Sequence, residues 1–170
     1  QALIGNGASV VLTSRDVTSL SEAASRLGPN AVASPGDLGE PATIERAIDV
    51  AYQRFGRLDG ALISVGGPPG GSLDTLTAEQ WRGAFDTVFL GAVGAARSVA
   101  GRLGDGGSIA VVLSSSVRSP IGGLDASNGL RPGLAMLVKS MADQWGSRGI
   151  RVNALLPGRI DTDRVRELDA

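Results

Sequence analysis

The alternation of short apolar runs with longer stretches of helical period is what most constrains this chain. Five runs read as strands: Ser9–Thr13 (SVVLT), Ala31–Ser34, Leu58–Ser64 (LDGALIS), Ser108–Leu113 (SIAVVL) and Ile150–Leu155 (IRVNAL). They are apolar along their length, which suits parallel strands buried on both faces, and their shortness and β-branched content favour strand over buried helix. Between them lie helical patterns. Leu20, Ala23, Ala24 and Leu27 share a face over Val17–Leu27. Ile44, Ala47, Ile48, Ala51 and Phe55 do so over Pro41–Phe55, with Pro41 in the first turn and Gly56 past the end. Leu130, Leu134, Leu137, Val138, Met141 and Trp145 form an apolar face over Ser127–Trp145, and another helix follows Ala78. Such alternation specifies a doubly wound parallel α/β sheet with helices on both sides.

With 170 residues, 42% of them hydrophobic, the chain has material for one core. Residues Gln1–Gly7 (QALIGNG) read as the last turns of a helix feeding the Ser9–Thr13 strand. A helix there follows a strand, and in a doubly wound sheet that first strand is central. The expectation is a single incomplete dinucleotide-binding domain over residues 1–170, without its first strand. The strands flanking the absent one then have no partner between them. Arg164–Ala170 reads as a helix start whose sequel lies further on.

Composition excludes several chemistries. The formal net charge is −1, so no basic surface points to nucleic acid or acidic lipid. No apolar run approaches the ~20 residues of a membrane span, and a cytoplasmic location is expected. With no cysteine and no histidine, thiolate nucleophiles, zinc–sulfur sites, imidazole ligands and a Ser-His-Asp triad are absent from this segment, and no metal site is expected. Hydroxyls, carboxylates, amides and guanidinium groups are left to do any chemistry.

Five segments carry a family resemblance: GASVVLTSRD (Gly7–Asp16), GDL (Gly36–Leu38), GRLDGALISVGGPPGG (Gly56–Gly71), GSIAVVLSSS (Gly107–Ser116) and GIRVNALLPGRIDT (Gly149–Thr162). In this order and spacing the chain resembles the short-chain dehydrogenase/reductase family, particularly its 3-oxoacyl-carrier-protein-reductase-like members. The resemblance implies a Rossmann-like fold and an NAD(P)-dependent carbonyl reductase or alcohol dehydrogenase. It also implies a small carbonyl or alcohol substrate and a homo-oligomer, tetramer or dimer.

The resemblance assigns Ser14 and Arg15 to the turn that meets the adenosine ribose. A carboxylate there repels a 2′-phosphate, whereas a hydroxyl followed by arginine accepts it. NADP is therefore expected over NAD, the plain alternative being a solvated Arg15. Asp37 and Leu38 match the pair that contacts adenine, although Asp37 also suits a turn before the Pro41 helix. Ser64, Val65 and Gly66 stand where the family has Asn-Ala-Gly, and Gly66 permits close backbone approach to the cofactor. The following Gly67-Pro68-Pro69-Gly70 reads as a turn or a pocket wall. Pro157, Gly158, Ile160 and Thr162 match the motif that holds the nicotinamide carboxamide, a simple Pro-Gly turn being the alternative.

The catalytic pattern departs from the family's Asn, Ser, Tyr and Lys. The serine is Ser114, seven residues after Gly107; the tyrosine position, thirteen further, is Ser127, and the lysine position, four beyond that, is Arg131. The asparagine position is Val88. The one tyrosine, Tyr52, closes the helix before the third strand candidate and so falls at the amino ends of the strands, away from the cofactor. A phenol has a pKa of ~10, an alcohol is far less acidic, and a neighbouring cation shifts a pKa by only ~1–3 units. Ser127 is thus a poor general acid. Ser114 and Ser127 still suit donation to a carbonyl oxygen, and Arg131 suits stabilising an alkoxide while holding the nicotinamide ribose. The alternatives are a helix N-cap for Ser127 and a solvated helix arginine for Arg131. Two readings follow: an oxidoreductase with an altered proton-donor site, or a catalytically silent NADP(H)-binding or partner subunit.

Overall fold

Asp16 accepts the Ser19 backbone N–H at 3.1 Å and caps α2 (Val17–Leu27), which stops at Gly28. Pro41 opens α3 (Pro41–Phe55), and Gly56, in the left-handed region, closes it. Both helices keep the bounds their sequence signals predict. The computed structural model describes residues 1–158, 160, 161 and 166. In chain order the remaining elements are α1 (Ala2–Gly5), β1 (Val10–Leu12), β2 (Ala31–Ala33), β3 (Gly60–Ser64), α4 (Ala78–Ala84), α5 (Gly91–Arg102), β4 (Ser108–Val112), α6 (Asp125–Gly146) and β5 (Arg151–Leu155). A π-helical segment, Phe85–Leu90, joins α4 to α5. The expected helix start over Arg164–Ala170 lies outside the described residues, Arg166 excepted.

All strand pairing is parallel. β1 pairs with β2, while β3, β4 and β5 form a second sheet in that order. β1 and β3 do not pair with each other. The architecture is the Rossmann-like α/β fold with parallel strands.

Register fixes the core. Ile63, Val111 and Ala154 align across the second sheet, as do Ala61, Ile109 and Val152. The two-residue period of a strand puts both rows on one face. There they meet Ile44 and Ile48 of α3, Ala92, Ala96 and Val99 of α5, and Leu134, Val138 and Met141 of α6. The other face departs from the expectation of strands buried on both sides. Leu62 is 59% and Leu155 50% exposed, because no described helix covers that side. No helix of the described residues is long and apolar enough to cross a membrane.

Candidate active site

The candidate residues gather where parallel strands end in carboxyl termini, the edge at which open α/β sheets take ligands. At the first sheet, Ser14 and Arg15 follow β1, and the Ser14 carbonyl accepts the Gly36 N–H at 3.0 Å. This bond brings the turn after β2 alongside. Asp37 then lies 3.7 Å from the Arg15 guanidinium and accepts the Gly39 N–H at 2.8 Å. The Arg15 side chain is 76% exposed, so the ion pair is weak and the guanidinium can turn to another anion. A side chain at position 36 would collide with Thr43 of α3, so glycine is required where the chain passes over that helix. The Leu38 carbonyl rests against Gly91 at the start of α5, and Leu38 itself packs on the core.

The second cluster is built on β4 and α6. Ser64, Val112 and Leu155 align at the ends of β3, β4 and β5. Just beyond, Ser115 donates its N–H to the Pro157 carbonyl at 2.9 Å, tying the Pro157-Gly158 turn to the serine run. Ser114, in extended conformation, accepts the Ser116 N–H at 3.1 Å through its Oγ. Its own hydroxyl proton remains available to a ligand. Ser116 is buried, and its Oγ lies 3.2 Å from the Oγ of Ser127, also buried.

Ser127 is not the helix N-cap. α6 begins two residues earlier at Asp125, whose carboxylate accepts the Leu73 N–H at 2.9 Å and the Asn128 side-chain amide at 3.1 Å. Asn128 also bonds both backbone groups of Ile121. These contacts and the Gly71–Leu124 bridge pin the segment after β3 to the start of α6. That segment includes Gly67-Pro68-Pro69-Gly70, with Pro68 buried.

Arg131, one turn beyond Ser127, is the only buried ionisable side chain among the described residues, at 6% exposure. It is not the solvated helix arginine of the alternative reading. Its Nη1 donates to the Val112 carbonyl at 3.2 Å, which sets the guanidinium under the carboxyl end of the middle strand. Burial pushes its pKa below the usual arginine value, yet guanidinium stays charged at any working pH.

Val88 is 1% exposed inside the π-helical segment, a distortion frequent at functional sites. It offers packing and no hydrogen bond. Val65 is buried while Ser64 and Gly66 are exposed, and a side chain at position 66 would meet open space. Gly158 and Ile160 are exposed; Thr162 lies outside the described residues. Tyr52 donates to the Arg102 carbonyl at 2.6 Å beside Leu58 and Asp59, which lead into β3. It is at the amino ends of the strands, as its sequence position indicates. The residue that sequence reading missed is Ser116. The triple serine Ser114-Ser115-Ser116 was its only signal, and counting along the strand selects Ser114 alone.

Comparison with known proteins places this architecture. The family model described as enoyl-(acyl carrier protein) reductase matches residues 1–170. The chain belongs to that family, within the short-chain dehydrogenases/reductases. An uncharacterized oxidoreductase of Mycobacterium tuberculosis (strain H37Rv) is 37% identical over 123 residues, covering 68% of this chain and 44% of the relative. A second protein of that organism, described as an uncharacterized NAD-dependent oxidoreductase, is 30% identical over 156 residues, covering 90% of this chain and 57% of its own length. The chain thus spans about half the length of these curated relatives. Among solved structures, the NADPH-bound short-chain oxidoreductase of Pseudomonas aeruginosa PAO1, described as containing an atypical catalytic center, superposes with a TM-score of 0.91 at 24% identity. The match covers 99% of this chain and 68% of that one.

Proposed function

We propose that the protein of which this chain forms part is an NADP-dependent oxidoreductase moving hydride between nicotinamide and a carbonyl or alcohol substrate. The observation that carries this reading is Arg131, buried and charged beneath the carboxyl end of β4, with hydroxyls of Ser114 and Ser127 on the elements around it. The donor set fits a dinucleotide: exposed Arg15 suits the 2′-phosphate, and Arg131 has spare N–H groups for ribose hydroxyls. Bound nicotinamide supplies the hydride chemistry. Arg131 stabilises negative charge developing on the substrate oxygen, Ser114 donates a hydrogen bond to it, and Pro157-Gly158 offers backbone groups to the carboxamide. Asp37 and Leu38 flank the adenine, and Ser64, Val65 and Gly66 line the path between the two ends, with Ile160 and Thr162 completing the nicotinamide side.

The relatives divide on the cofactor, NADPH being named for one and NAD for another. The preference for NADP rests on Ser14 and Arg15 in place of a carboxylate. One observation favours the silent-subunit reading: the Ser127 hydroxyl, itself buried, is paired with the Ser116 hydroxyl inside the protein. Exposed Phe85 and Leu90 on the π-helical segment and Met136 on α6 support a homo-oligomer, tetramer or dimer, formed through these helices. Calorimetric titration of the full-length protein with NADPH and NADH, followed by nicotinamide absorbance with a panel of ketones, tests the proposal. Tight NADPH binding with turnover is expected. Absence of binding to either nucleotide refutes it, and binding without turnover on any carbonyl selects the silent subunit.

A further inference from the structure

Arg131 carries a positive charge that no described residue neutralises. It forms no ion pair with any described carboxylate, and its one hydrogen bond goes to a neutral backbone carbonyl. That bond uses Nη1 and leaves Nε and Nη2 without an acceptor. Every fully enclosed side-chain nitrogen among the described residues has a hydrogen-bond partner. The two unbonded nitrogens therefore reach an accessible opening, although the residue as a whole is only 6% exposed. Nε and Nη2 form one edge of the planar fork, the edge that takes a carboxylate through two parallel N–H···O bonds.

The neighbouring groups make the lack of a counter-charge more telling. A cation beside a tyrosine has a phenol of pKa ~10 to pair with as it ionises. Ser127, at that place, is an alcohol, far less acidic than a phenol and nearer water, and its Oγ contacts Ser116. Ser114 and Ser116 are alcohols too. No group in the serine run becomes an anion at working pH. No described residue supplies the opposite charge, and the free edge of the fork faces the opening, so an anion bound there would complete the pairing that a largely buried ion favours.

We infer that the substrate bound at this site carries a carboxylate that pairs side-on with Nε and Nη2 of Arg131, making it an oxo acid or the matching hydroxy acid. This rests on the reading of the crevice as a substrate site, and the carboxylate is bound, not transformed. The test uses full-length protein in chloride-free buffer, titrated calorimetrically with 2-oxobutyrate and with its methyl ester, each with and without NADPH. The acid should bind at least tenfold more tightly than the ester. Arg131→Met should erase the difference, and Arg131→Lys, which keeps charge but loses the fork, should retain part of it. Equal binding of acid and ester by the parent protein overturns the inference, whether or not Arg131→Met folds. So does chloride that alone gives the same Arg131-dependent heat and removes the acid–ester difference, since the partner is then a solvent ion. Acid selectivity without nicotinamide-dependent reduction leaves this inference standing and removes the proposed function. Reduction of acid and ester with equal efficiency does the reverse.

Discussion

Replacing Arg131 with methionine should stabilise the protein in the absence of ligand. Methionine keeps an unbranched apolar stem of similar length but removes the charge. The effective penalty for a buried ion in a relaxed protein is several kcal/mol, taken here as ~4. Against it stands the bond from Nη1 to the Val112 carbonyl at 3.2 Å, worth about 1.5–3 kcal/mol as a charged hydrogen bond. The difference is a net gain of roughly 1–2.5 kcal/mol for the variant. For a domain of about 150–250 residues this corresponds to a rise in Tm of about 2–10 °C. Differential scanning calorimetry in buffer free of small carboxylates reads it directly. Arg131→Lys serves as control, since it keeps a buried cation and should show no such rise. A fall in Tm of more than ~3 °C for Arg131→Met would refute the reasoning, because it would mean that the guanidinium is already compensated in the folded protein.

Three other outcomes follow from the geometry. Arg15→Ala should narrow the preference for NADPH over NADH by roughly 1–3 kcal/mol, the value of a charge-assisted contact, in fluorescence titrations; equal affinities in the parent protein remove the argument. Ser116→Ala and Ser127→Ala each leave a buried hydroxyl without a partner, costing about 1–3 kcal/mol, while the double variant should cost less than the sum of the two by ~0.5–1.5 kcal/mol. Urea midpoints measure that cycle, and strict additivity would dissolve the serine pair. Met136→Glu should shift a two-fold assembly towards monomer in light scattering, and a parent protein already monomeric at micromolar concentration counts against the oligomer.

Local signals in the sequence located the elements well. Asp16 with Gly28 and Pro41 with Gly56 bracket α2 and α3 because caps act over a few residues. The apolar face of α6 is legible for the same reason, as helical period is local. What escaped depends on distant partners. α6 starts at Asp125 because its carboxylate finds Leu73, 52 residues away. The π-helical segment at Phe85–Leu90 leaves no periodic trace, since one wide turn shifts the apolar pattern only slightly. Leu62 and Leu155 read as core from hydropathy, yet which sheet face is covered depends on how helices pack. At the site, Arg131 was found by spacing, but its burial and its bond to Val112 are tertiary facts. Ser116 was missed because only the fold brings it to Ser127.

Serine and arginine at these two positions change how a carbonyl can be activated. Losing a general acid lowers a rate by ~10²–10⁴, equivalent to roughly 2.7–5.5 kcal/mol of barrier. One preorganised donor aimed at a developing oxyanion is worth about 2.7–4 kcal/mol. These ranges overlap, so a charged, buried fork can offset much of what the phenol would supply. The offset requires the guanidinium to sit in low dielectric with N–H groups still free, and Arg131 meets both conditions at 6% exposure with a single acceptor. An exposed arginine at the same position would be screened by water and offer far less. Under the proposed function, the burial that weakens the folded state would be the same property that strengthens the guanidinium's effect on a developing oxyanion. The proton would then come from water reaching the opening beside Nε and Nη2, because Ser114 is an alcohol like Ser127 and suits hydrogen-bond donation to the oxygen, not loss of its proton. On that reading, transition-state stabilisation would shift from acid catalysis to charge.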